Sequence, residues 1–127
     1  MTLNNYRVSA QVAVSDMDRA RSFYEGKLGL ASSGHQPGAG QAYSCGDGTV
    51  LHVYPSPDHA GKATSTVARW DVPDVAAAVD DLVVRGVTFE SYDDPVKTDA
   101  KGIHDSGYGK VAWFKDPDGN TFALEQV

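Results

Sequence analysis

The sequence predicts an α+β fold made of two tandem βαβββ modules, on the strength of two repeated features. Asp-Gly turns at residues 47–48 and 118–119 each separate two runs of residues able to form strands, which is a strong signal for a β-hairpin. Farther upstream, an alternating strand leads directly into a helix start at residues 14–16 and again at 72–74. One strand–helix–hairpin unit therefore occurs twice.

The first module is predicted to span residues 6–54. Residues 7–14 alternate between apolar and polar side chains, as in a strand with one buried face. Ser15 or Asp16 can cap a helix whose apolar stripe runs as far as Gly29, a C-terminal cap. The remaining elements are a short strand near 30–33, a Gly/Pro-rich loop at 34–40 and the first hairpin.

The second module is predicted to span residues 66–127, after a connector at 55–65 that is rich in turn-forming residues. An alternating strand at 66–72 precedes a helix that starts at Pro73-Asp74 and ends at Gly86. The remaining elements are a strand at 87–89, a loop at 90–107 and the closing hairpin. A loop of that length in a compact domain is usually functional or mobile.

Composition limits the classes of partner. The 127 residues suit one domain, and the formal net charge of −6, without any cluster of Lys and Arg, disfavours nucleic acid and anionic membranes as partners. Cys45 is the single cysteine, so no internal disulfide can form. The chain shows neither a signal-peptide pattern nor a run of about 20 apolar residues. We expect a soluble, cytoplasmic protein.

Two segments carry a resemblance to a known family. Residues 14–24 (VSDMDRARSFY) with the Leu-Gly-Leu of 28–30, and residues 114–120 (FKDPDGN), are similar to motifs of the vicinal oxygen chelate superfamily, also called the glyoxalase/bleomycin resistance/dioxygenase family. The resemblance covers essentially the whole chain. It implies a curved, barrel-like mixed sheet with helices outside and a cavity inside, which in many members is completed across a homodimer.

The resemblance also locates the family's metal positions. Enzymes of the family hold a divalent metal with one residue from the first and last strand of each module, and in this chain these positions are Ser9, His52, Val67 and Ala123. Only His52 is a good metal ligand, whereas a catalytic transition metal needs about three protein ligands. We therefore expect no cofactor. A displaced metal site of His52 with Glu125 or Asp71 is the open alternative.

Other candidate residues have simpler interpretations. His52 could act as a general base, but without an identified partner a hydrogen-bonding role in a pocket is the better interpretation. His104, in the long loop, is expected to be exposed, and His35 and His59 to be solvated. Cys45 is expected to be a half-buried thiol at a strand end.

The cavity lining follows from strand alternation. Arg69 and Asp71 share a strand face, where they could pair with each other, with Gln11 or with a polar ligand. Trp70 should be core, whereas Trp113 should face the cavity and offer a stacking surface. The predicted ligand-binding set is Ser9, Gln11, Tyr43, His52, Tyr54, Arg69, Asp71, Trp113 and Glu125.

Three functions fit these predictions. The first is a metal-free protein that sequesters an aromatic or amphipathic small molecule, like the antibiotic-binding resistance proteins of the superfamily. The second is a lyase, isomerase or dioxygenase with an atypical metal site centred on His52. The third is an interaction module without a small ligand. The missing metal ligands and the aromatic lining favour the first.

Overall fold

Two four-stranded mixed sheets make up the framework of the computed structural model, which describes residues 2–34 and 38–126. The first module contains β1 (Ala10–Val14), helix α1 (Met17–Arg21) with a π-helical extension (Ser22–Lys27), β2 (Ala31–Ser32), β3 (Gln41–Ser44) and β4 (Val50–Pro55). The second contains β5 (Thr66–Asp71), helix α2 (Val75–Val84), β6 (Ile103–Asp105), β7 (Lys110–Lys115) and β8 (Thr121–Gln126). The α+β class and the tandem βαβββ order are confirmed.

The two sheets have the same topology. Their strand orders are β1-β4-β3-β2 and β5-β8-β7-β6, with the first pair parallel and the others antiparallel. Tyr43 pairs with Leu51 in the first hairpin, and Phe114 pairs with Phe122 in the second. Both partners lie at the same distance from the Asp-Gly turn in each hairpin, so the predicted repeat extends to the register.

Both helices begin at an aspartate, and of the two predicted cap candidates in the first module, Ser15 and Asp16, the cap is Asp16. The Asp16 carboxylate accepts hydrogen bonds from the backbone N–H groups of Asp18 and Arg19, and the Asp74 carboxylate accepts one from Ala77. These bonds satisfy N–H groups that have no partner within the helix. In the first module the helix widens, because Leu28 N–H donates to the carbonyl of Phe23 at 2.9 Å, five residues earlier.

One hydrophobic core joins the two modules. Tyr24, at the π-helical end of α1, lies with its ring 6.1 Å from that of Tyr43 in one sheet and 6.0 Å from that of Phe122 in the other. Phe23 likewise contacts Phe114. The helix-facing sides of both sheets therefore meet within a single chain, and the described strands form two separate sheets that hydrogen bonds do not close into one barrel.

Polar contacts at the last turn fix this junction. Asp116, 5% exposed, accepts hydrogen bonds from the Tyr24 hydroxyl at 2.6 Å and from the Asn120 side chain at 2.8 Å. Asn120 also donates to the carbonyl of Ala13 at 2.9 Å and accepts from the backbone N–H of Gly61 at 3.1 Å. Gly61 has φ +68°, and a Cβ there would overlap the carbonyl of Asp118. We call Tyr24, Asp116 and Asn120 the module clamp.

The strand predicted at 87–89 is the main error in the second module. Only Phe89 pairs, as an isolated bridge to Phe114, and the sheet edge continues through β6, which lies inside the predicted 90–107 loop. β6 buries Ile103 against the core, so this segment gains a strand through tertiary packing that a three-residue pattern does not reveal. Among the described residues, no helix combines the length and apolar character needed to cross a bilayer.

Candidate functional site

Each sheet has one face turned away from the shared core, and we call these the open faces. On β1 the core-facing residues Val12 and Val14 are buried, whereas Gln11, which directly precedes Val12, is exposed. On β7 the same alternation buries Ala112 and Phe114 and leaves Trp113 on the other side. The open faces therefore point away from each other in one chain, and most of the predicted ligand-binding residues lie on them.

The open face of the first sheet carries His52 at its centre. His52 on β4 pairs directly with Gln11 on β1, and Ser9 lies exposed immediately before β1. The Nδ1 atom of His52 is buried and has no hydrogen-bond partner among the described residues. Tyr54, 38% exposed, shares this face two residues along the strand. These four predicted residues lie together.

The open face of the second sheet is organised by Arg69. Its guanidinium Nε lies 3.1 Å from Asp71 Oδ1, and its Nη1 lies 2.5 Å from Glu125 Oε2. Of the alternatives left open by the sequence, pairing with Asp71 is therefore realised, with Glu125 as an additional partner. The ion pair between Arg69 and Glu125 bridges β5 to β8. All three side chains remain partly exposed, so their polar atoms are available to a ligand.

An aromatic cluster borders this charged group. Trp113 lies 5.6 Å from the ring of Tyr92 at an interplanar angle of 71°, and 6.4 Å from that of His104. His104 Nδ1 lies 2.8 Å from the carbonyl of Lys97, which can only accept, so Nδ1 donates this hydrogen bond. Tyr92 and His104 were missed as partners of Trp113, because a loop without periodicity gives no sign of where its side chains lie.

Tyr43 corrects the predicted aromatic lining. It is fully buried, faces the core opposite Leu51, and donates a hydrogen bond from its hydroxyl to Glu25 at 2.9 Å. Burial, with the hydrogen bond to Glu25 as a second cause, raises the pKa of Tyr43 above its usual range. Alternation counted from the turn would have assigned Tyr43 to the same side as Leu51, and therefore to the core.

Val67 departs from the predicted face as well. The register of β5 against β8 shifts between Thr66 and Ala68, and this irregularity lets both Val67 and Ala68 pack against the core. Ala123, opposite Arg69, is buried. The four family metal positions are therefore divided between two sheets. Within residues 2–34 and 38–126, no group of three or more His, Cys, Asp or Glu side chains could hold a metal ion.

The remaining candidates have local roles. His59 is exposed in the connector, and its Nδ1 lies 2.8 Å from the Ser56 hydroxyl. Cys45 is a half-buried free thiol at the end of β3, as predicted. Trp70 packs on Phe114 and Phe122 in the core, also as predicted. His35 lies outside the described residues.

A comparison with known protein families identifies the family of this chain. The sequence pattern of the Glyoxalase/Bleomycin resistance protein/Dioxygenase superfamily matches residues 7–124. The chain belongs to this superfamily. The comparison with curated proteins gave no match.

Solved structures of the superfamily have the same fold over nearly their whole length. A glyoxalase/bleomycin resistance protein from Catenulispora acidiphila is 24% identical, with 95% of this chain and 97% of that chain covered and a TM-score of 0.70. TnmS3, an antibiotic binding protein from Streptomyces sp. CB03234, is 25% identical, with 95% and 96% covered and a TM-score of 0.65. A bleomycin-binding protein complexed with bleomycin is 21% identical, with 96% and 98% covered and a TM-score of 0.69.

Proposed function

We propose that the chain is a metal-free member of its superfamily that binds and sequesters an aromatic or amphipathic small molecule on its open sheet faces. The observation that carries this proposal is the environment of Trp113. Its indole lies outside the core, beside Tyr92 and His104, on the sheet face that also holds the ion pairs of Arg69. A flat ring can stack on such a surface while its polar substituents bind the charged groups.

The proposal includes a homodimer. Each open face is one wall without an opposite wall, because the helices and the core lie on its other side. A second copy that places its first sheet over the second sheet of its partner would enclose two equivalent cavities. Each cavity would bring Gln11, His52 and Tyr54 of one protomer towards Arg69 and Trp113 of the other.

The superfamily relatives support a binding role. One is a bleomycin-binding protein solved with bleomycin, and another is described as an antibiotic binding protein. At the four family metal positions this chain has Ser9, His52, Val67 and Ala123, of which Val67 and Ala123 offer no side-chain donor. A protein that only binds its ligand and does not catalyse a reaction needs no such donors.

Tryptophan fluorescence tests the proposal. Bleomycin and a series of flat aromatic compounds are titrated into the wild type, Trp113→Phe and Trp70→Phe. We expect saturable quenching in the wild type and in Trp70→Phe, because Trp70 lies in the core, and a loss of at least tenfold in affinity or of the signal in Trp113→Phe. A series of diverse aromatic ligands without any change in wild-type fluorescence would contradict the proposal.

A metal-dependent enzyme is the second candidate, and one observation favours it. His52 Nδ1 is buried and has no hydrogen-bond partner in the described part of the chain, as expected of a nitrogen that binds a metal or a ligand. Elemental analysis of protein purified without chelator distinguishes the candidates. Near-stoichiometric Zn, Ni, Fe or Mn that disappears in His52→Ala would replace the binding proposal with the enzymatic one.

A further inference from the structure

A cleft of about 510 Å³ lies along the first-module helix and reaches the end of β7 at Lys115. It runs between the first-module helix and the segment that links α2 to β7. Phe23 and Val87, 6% and 4% exposed, form its apolar floor. Three cationic side chains, Arg19, Lys27 and Lys115, line it in a chain whose net charge is −6.

Two of these cations extend from the first module to the second. Arg19 Nη2 donates to the carbonyl of Pro117 at 2.6 Å. The aliphatic end of Lys27 lies over Gly86, with Cε 3.5 Å from the position that a Cβ would take there. Arg19 and Lys27 therefore lie across the junction between the two modules. Each contacts the second module through uncharged groups only.

The charges of Arg19 and Lys27 are not compensated. Neither side chain forms an ion pair with any residue in the described ranges, whereas Lys115 lies 3.5 Å from Glu90. The other carboxylate in the lining, Asp116, accepts hydrogen bonds from the side chains of Tyr24 and Asn120 and from the backbone N–H groups of Asp118 and Asn120. With Lys115 and Glu90 paired, the lining has the two cations Arg19 and Lys27 against the one carboxylate of Asp116, and this excess positive charge favours an anion.

Hydroxyl groups complete the donor set. Ser22 and Thr88 line the same cleft from its two sides, and both are exposed. Ammonium, guanidinium and hydroxyl donors together match the oxygens of a phosphate or carboxylate group, and hydrogen bonds from charged donors to such oxygens are about twice as strong as neutral ones.

We propose that this cleft is a binding site for a small oxyanion, with Lys27 and Arg19 as the charged donors and Ser22 as a neutral one. A bound oxyanion bridges the first-module helix to the second module. Binding to the native state alone then stabilises the fold in proportion to the logarithm of the anion concentration. The site is independent of the small-molecule binding proposed for the open faces.

Isothermal titration calorimetry and thermal unfolding of the full chain test this proposal with sodium phosphate and sodium acetate. Sodium chloride at matched ionic strength corrects for screening. We expect saturable binding of phosphate and an increase in Tm above the chloride control. Acetate binding in addition would assign a general oxyanion site, and its absence would assign a phosphate-type site.

Variants locate the binding. Lys27→Gln should weaken phosphate binding about tenfold, which corresponds to the loss of one charge-assisted hydrogen bond. Ser22→Ala, which keeps the charge, should weaken it by a smaller factor. Lys62→Gln is the matched control, because Lys62 is an exposed lysine in the connector and does not line the cleft. Equal losses in Lys27→Gln and Lys62→Gln, or no binding of either anion to the wild type, would overturn the proposal.

Discussion

The two hairpins pair in the same register, but their turns are used differently. In the first, Cys45 N–H donates to the carbonyl of Thr49 at 2.8 Å, and in the second Asp116 N–H donates to that of Asn120 at 3.0 Å. Thr49 is exposed, and its hydroxyl bonds locally to Gly46, whereas Asn120 is buried and contacts residues far away in the chain. The same type of backbone turn is thus a simple surface turn in the first module and carries two residues of the module clamp in the second.

The open faces differ in the same way. Gln11 and His52 are paired in the first sheet where Arg69 and Ala123 are paired in the second. The core rows are apolar in both modules, since they must pack together, whereas the open rows are free to differ. The repeat therefore determines the fold, and its differences determine the candidate sites.

The largest difference in stability should come from the two core positions that the repeat makes equivalent. Phe122→Ala should cost about 3–5 kcal/mol, because Phe122 is fully buried and its ring contacts those of Tyr24, Trp70 and Phe114. Leu51→Ala, at the equivalent position, should cost about 2 kcal/mol. Urea unfolding measures both, and equal losses would show that the core does not depend on the second module as described.

The clamp can be tested against its counterpart in the first turn. Asn120→Ala should cost about 2–3 kcal/mol, because it leaves the carbonyl of Ala13 and the N–H of Gly61 without their partner. Thr49→Ala should change the free energy of unfolding by less than about 0.5 kcal/mol. If the two substitutions had the same effect in denaturant unfolding, the clamp would not join the modules.

The pH dependence of stability at alkaline pH tests the contribution of Tyr24 to the module clamp. Burial, and then Asp116, raise the pKa of Tyr24 above its ordinary value of 10.0. Above pH 10 the unfolded chain releases this proton while the folded chain retains it. The contribution of Tyr24 to the free energy of unfolding is therefore fully present below pH 10 and falls as the pH rises further. Tyr24→Phe should cost about 1–2 kcal/mol at neutral pH and reduce this alkaline slope.

The control for that measurement is Tyr108→Phe. Tyr108 is 94% exposed, so this variant should keep the wild-type slope between pH 9 and about 11. Identical slopes in the wild type and Tyr24→Phe would show that Tyr24 titrates normally in the folded protein.

The smallest effect is expected on the open faces. Arg69→Ala removes two partly exposed ion pairs and should destabilise the fold by less than about 1 kcal/mol, and Gln11→Ala should have no measurable effect. If Arg69 serves a ligand, its substitution should instead weaken the binding measured by Trp113 fluorescence. A loss of several kcal/mol in stability would assign Arg69 to the scaffold.

Sequence patterns predicted the scaffold well and the sites only in part. Alternation located Trp113 and Trp70 on opposite sides of the second sheet, and the capping aspartates Asp16 and Asp74 located both helix starts. Alternation failed at Val67, where the strand register shifts, and Tyr43 was assigned to the wrong row. The β6 strand and the contacts of Tyr92 depend on where a long loop folds back, and local sequence does not encode this.

The clamp also has a consequence for synthesis of the chain. Asn120 holds the carbonyl of Ala13, 107 residues earlier, and the Asp118 carboxylate accepts from the N–H of Ser15 across 103 residues. Contacts of such sequence separation form late and slow the folding of small domains. During synthesis the amino-terminal half therefore emerges before Phe122 and Asp116 can contact Tyr24, and we expect that side of Tyr24 to be exposed to chaperones and proteases until the last hairpin is made.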